Sequence, residues 1–83
     1  MAERWLRCEI RKGMFSDEMV VVIKTPSGEV VSFFVPAEWV SGHVNQEGRV
    51  RVRTFHDDSR AWVIVPNESQ TVVAVDESQF VTA

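Results

Sequence analysis

The sequence predicts an all-β domain, a six-stranded small barrel or sandwich of SH3-like size with short helical turns. Three observations carry that expectation. Leu6, Cys8 and Ile10 alternate with Arg7, Glu9 and Arg11, the period-two spacing of a strand buried on one face. β-Branched residues crowd the apolar segments 19–23, 30–35, 61–65 and 71–75, and such side chains suit a pleated surface better than a helix. Turn residues separate these segments, and no long stripe of period 3.6 interrupts them. The 83 residues make one domain, 1–83, with a thin core for its surface.

Residues 6–11 supply the first half-buried strand. Residues 19–24 are almost continuously apolar, as in a strand covered on both faces. Thr25-Pro26-Ser27-Gly28 turns the chain, because Pro26 presets its φ and Gly28 tolerates a positive one. Residues 30–35 complete this hairpin. Pro36 ends it and opens one helical turn that lays Trp39 over the sheet. Residues 42–48 form a polar loop, and Val50 and Val52 then alternate with Arg49, Arg51 and Arg53 in another half-buried strand. His56-Asp57-Asp58-Ser59 reads as a turn, and residues 61–65 as an apolar strand with Trp62 in the core. Pro66-Asn67-Glu68-Ser69 turns the chain back into 71–75. Asp76 caps a last helical turn carrying Phe80.

A shift of 40 residues superposes Arg11 on Arg51, Phe15 on Phe55, Asp17 on Asp57, Pro26 on Pro66 and Val35 on Val75. Average residue usage gives about two such identities by chance. The implied repeat runs over 4–41 and 45–81, two pseudo-symmetric β-meander halves whose hairpins pack face to face. Unrelated β-meanders of similar turn spacing are the alternative explanation.

Composition narrows the function classes. The formal charge is −3, so the chain as a whole is not basic. The single cysteine, Cys8, excludes an intramolecular disulfide and cysteine-rich zinc sites. It alternates with Leu6 and Ile10 and is expected in the core. No apolar run approaches the roughly 18–20 residues of a membrane helix. Neither does the start of the chain read as a secretory leader, so a reducing, cytoplasmic setting without membrane attachment is expected. No nucleophile-elbow, phosphate-loop, zinc-protease or dinucleotide pattern occurs. The expectation is therefore no enzyme and no cofactor. His56, Asp57 and Asp58 are the weak candidates for a metal or acid–base site. Neighbours on a tight turn point apart, however, so no metal is expected there.

Two features suggest binding. Four apolar strands need cover on both faces, which a small barrel with one interior does not provide; the helical turns with Trp39 and Phe80, a partner protein or a second copy must supply it. An uncovered patch of several Val and Phe side chains marks an interface, so a protein partner or a homodimer is expected. Arg49, Arg51 and Arg53 place three guanidinium groups on one strand face, about 7 Å apart. With Trp5 and Trp39 they form the candidate binding set, and internal carboxylates or an acidic protein are the partners they suit. The alternative reading is a nucleic-acid-binding small β-barrel using these arginines and Trp5, which the negative net charge disfavours.

Overall fold

A computed structural model describes residues 2–81. Seven antiparallel strands run β1 (Ala2–Lys12), β2 (Glu18–Lys24), β3 (Val30–Pro36), β4 (Val40–Ser41), β5 (Glu47–Asp57), β6 (Arg60–Ile64) and β7 (Val72–Val75). The lateral order is β3-β2-β1-β5-β6-β7, with β4 beside β5, and the sheet curls into a half-barrel. Single 3-10 turns, Ala37–Trp39 and Glu77–Gln79, follow the two hairpins. Among the described residues no helix is long and apolar enough to cross a membrane.

The curl follows from how β1 and β5 share partners. β1 pairs with β5 from Ala2 to Glu9 and with β2 only from Glu9 to Lys12. The edge of β1 that β2 leaves free is taken near Leu6 by Phe80, with the Val81 N–H donating to the Trp5 carbonyl at 2.9 Å. At Ile10 the edge that β5 leaves free is met by the 45–46 turn, through Asn45 N–H to Ile10 O and Ile10 N–H to Gln46 O. β5 repeats the scheme, with β1 on one side, β6 from Arg53 to Asp57 on the other, and β4 at Arg49 and Val50. Both long strands therefore gain backbone partners on their second edges while changing neighbours, which favours burying them.

The two halves carry the same pairings. Leu6, Cys8 and Ile10 stand where Val50, Val52 and Thr54 stand, a shift of 44 residues. Val21 and Ile23 correspond to Val63 and Val65 at a shift of 42, and Phe33 and Val35 to Val73 and Val75 at 40. The Val40–Val50 pairing recurs as Phe80–Leu6. Each drop of two reflects a turn two residues shorter in the second half, as between Lys12–Met19 and His56–Ala61. A constant shift of 40 aligns Arg11 with Arg51, whereas the register aligns Arg7 with Arg51.

The core lies inside the curl. Leu6, Ile10, Val21, Ile23, Val35, Val50 and Val63 are fully buried there, with Cys8 beside them as expected. Three local expectations change. Trp62 faces outward, its ring stacked on Phe55 at 6.4 Å, because Ala61 and Val63 take the inward positions of β6. Phe80 is a core residue rather than cover for the outer face. His56 and Asp57 continue β5, leaving Asp58 and Ser59 to turn with Asp58 at φ 56.

Thr54 occupies the core position that Ile10 holds in the other half, and its buried hydroxyl has no hydrogen-bond partner. Thr54→Val is expected to raise stability by about 1 kcal/mol, read from the urea midpoint. Gly48→Ala should lower it by about 1–3 kcal/mol. A Cβ at Gly48 meets the Ser41 carbonyl oxygen at 2.6 Å, where β4 lies against β5.

Candidate functional site

The outer face of the two central strands carries the residues singled out from sequence. Arg49, Arg51 and Arg53 alternate with buried Val50 and Val52, so all three guanidinium groups lie on the convex side. Trp5 faces the same way, and the Arg49 guanidinium sits over its ring at 5.0 Å. Arg51 bonds Glu3 at 2.9 Å and lies over Trp39 at 5.6 Å. Among the described residues Arg53 reaches only the Gln70 amide oxygen, at 3.3 Å. Among the described residues, neither Arg49 nor Arg53 pairs with a carboxylate.

The same register brings together two corresponding clefts. One, of about 360 Å³, is walled by Trp39, Arg51, Arg53 and Gln70 over Ile64 and Pro66. Its counterpart, of about 270 Å³, has Gln79, Arg7, Glu9 and Val30 at those places over Val22 and Lys24. The counterpart is internally neutralised: Arg7 faces Glu47 at 3.7 Å and Glu9 bonds Arg11 at 2.9 Å. Gln79 spends its amide on the Lys24 carbonyl at 2.7 Å.

His56 does not join Asp57 and Asp58. Its Nε2 lies 3.2 Å from Glu77, which also takes Arg4 at 2.6 Å. The Arg4 hydrogen bond first, and then His56, hold the Glu77 carboxyl below its ordinary range. Among the described residues no cluster of three or more His, Cys, Asp or Glu is arranged to hold a metal ion. Asp76 caps the second 3-10 turn as expected, and the Ser78 N–H holds its carboxyl low.

The open edge of β3 is a feature that sequence reasoning did not isolate. Thr25 N–H donates to Glu29 O, so by ladder phase residues 31, 33 and 35 bond inward to β2. Val30, Ser32 and Phe34 turn their N–H and C=O groups to an edge that no strand among the described residues adjoins. Their side chains lie on the outer face, with Val30 65% and Phe34 52% exposed. Beside this edge runs a groove of about 530 Å³ lined by Asp17, Glu18, Phe34, Pro36, Pro66 and Glu68. Three carboxylates line it and no Lys or Arg does. The alternation of 30–35 shows which residues face outward, but only the sheet order shows that β3 is terminal.

No protein-family model, no curated protein and no solved structure matches this chain.

The Cys8 thiol is held from ionising. Burial chiefly, with the Glu47 carboxylate adding to it, pushes its pKa from 9.0 to about 12. The folded state therefore holds this proton more tightly than the unfolded state. Its contribution to stability is complete below pH 9.0 and is lost as pH rises toward about 12. Urea midpoints at about pH 8 and about pH 10.5 should fall further apart in the native chain than in Cys8→Ala. Iodoacetamide should modify Cys8 only on unfolding.

Proposed function

We propose that this is a non-enzymatic protein-interaction module that takes an extended, cationic peptide segment as an added strand on β3. One observation carries the reading: Val30, Ser32 and Phe34 offer unpaired backbone groups beside a groove that is apolar and acidic. Strand addition gets affinity from main-chain hydrogen bonds and specificity from side-chain pockets. Here alternate peptide side chains would meet Phe34 and Pro36 on one side and Asp17, Glu18 and Glu68 on the other. β7, the opposite edge, is a poorer acceptor. It is shorter, and the Gln79 side chain already takes the Asp76 N–H at its end. The buried, unreactive thiol suits the reducing cytoplasm proposed for the protein.

A second copy is the competing occupant, because residues 30–35 carry no charge to oppose edge-to-edge pairing. A synthetic peptide of alternating Lys and Val tests the assignment by amide NMR. Saturable shifts are expected at the Val30, Ser32 and Phe34 amides. They should weaken about tenfold in Glu68→Lys, through lost charge complementarity, and vanish in Ser32→Pro, which removes an edge donor. An alternating Glu and Val peptide binding equally well would refute the charge argument. A concentration-dependent dimer in sedimentation, abolished by Ser32→Pro, would give the edge to a second copy instead.

A further inference from the structure

The two corresponding clefts have one architecture and different side chains, and that difference singles out one of them. From the corresponding pairings we infer that the cleft between Trp39 and the 66–70 turn binds a small oxyanion, a carboxylate or a phosphate, carried on a flat ring. This reading is separate from peptide capture on β3: Pro66 and Gln70 line both the groove and the cleft, but the strand-adding edge and its carboxylates belong to the first and Trp39 and Arg53 to the second.

Three substitutions between the halves support it. Where the counterpart has Glu9, ion-paired to Arg11, this cleft has Arg53, which has no carboxylate partner among the described residues. Arg51 and Arg7 cancel out of the comparison, since each faces a corresponding acid, Glu3 or Glu47. The cleft thus has a net positive lining, and its counterpart, with Lys24 and Glu9 opposed, has none. An exposed guanidinium with free donors at the cleft wall suits the paired oxygens of a carboxylate or phosphate.

The second substitution is Trp39 for Gln79. Gln79 closes its own cleft by bonding the Lys24 carbonyl, whereas Trp39 makes no such bond and offers a flat wall. Ile64 and Pro66 give an apolar floor beneath it. The ring belongs against these surfaces and the oxyanion against Arg53.

The third lies in the turn. In the first half the left-handed place of the turn falls to Gly28, at φ 92, two residues before Val30, the register counterpart of Gln70, and costs nothing. In the second half Gln70 takes the left-handed place, at φ 51. Asn67 holds the turn by accepting the Thr71 N–H at 2.9 Å and donating to the Thr71 hydroxyl at 2.9 Å. A long amide side chain is kept where glycine is easier, and it lies on Arg53. Such local strain is retained where it positions a functional group. Gln70 is accordingly a positioning residue for the Arg53 guanidinium.

The experiment is an NMR titration of the full chain with four probes: benzoate, adenosine monophosphate, acetate and inorganic phosphate. Benzoate or the nucleotide is expected to shift the Trp39 indole N–H and Gln70 amide signals saturably, with Kd about 1 mM or tighter. Whichever binds more tightly identifies carboxylate or phosphate as the preferred group. Acetate and phosphate, lacking a ring, should bind at least about tenfold more weakly. Arg53→Gln should weaken binding about tenfold or more, while Arg7→Gln in the counterpart cleft leaves it unchanged. Peptide shifts at Val30, Ser32 and Phe34 should survive Arg53→Gln, so the two readings fail independently. Absence of saturable shifts with every probe would overturn the inference, as would equal losses in Arg53→Gln and Arg7→Gln. Tight, steeply salt-dependent binding of a single-stranded oligonucleotide would also overturn it, in favour of a nucleic-acid surface.

Discussion

Leu6 and Val50 face each other at the middle of the β1–β5 ladder, both fully buried, and most of the fold is arranged around that pair. Each is also touched from its other edge by a short segment from a hairpin's end, Phe80 at Leu6 and Val40 at Val50. Two long strands can cross the middle of a small domain only if every backbone group along both edges finds a partner. β1 and β5 meet much of that demand by changing neighbours along their length, which bends the sheet around its apolar side. The inward valines of the two hairpins then meet over one core.

A frame with two corresponding halves separates what holds the fold from what differs on its surface. The inward positions stay apolar across the pair: Leu6 and Val50, Cys8 and Val52, Val21 and Val63, Val35 and Val75. Thr54 opposite Ile10 is the exception among them. Outward positions diverge freely, with Glu9 against Arg53, Trp39 against Gln79, Val30 against Gln70. Burial constrains the first group through packing density, while solvent relaxes the second. The surface chemistry that distinguishes one cleft from the other is therefore carried by side chains the core does not need.

Much of the strand pattern was readable from residue order, for a local reason. A strand buried on one face must alternate, so 6–11 and 49–53 declared their inward and outward sides, including the arginine row and the outward Trp5. The caps and turns were similarly local, as with Asp76 before its 3-10 turn and Gly28 after Pro26. Trp62 departs from its expected core position because 61–65 is apolar at every position, and such a run does not show which parity points inward. His56 and Asp57 looked like a turn by composition, yet pairing with β6 draws them into β5. The 40-residue shift followed β3 and the segment after it but not β1, because turns of unequal length change the offset at each hairpin.

Residue order by itself determined an all-β chain, its strand spacing, its lone inward-facing cysteine and the alternation that buries one face of β1 and β5. These depend on neighbours two positions apart, and the backbone geometry enforces them wherever the chain goes. Tertiary structure decided which strand lies at the open edge, which arginine keeps free donors and which two clefts correspond. Each of those depends on contacts between residues 12 to 73 positions apart, as in Arg51–Trp39, Arg53–Gln70 and Arg4–Glu77. Such contacts arise only when the β1–β5 ladder brings the two hairpins together, and no local pattern encodes them.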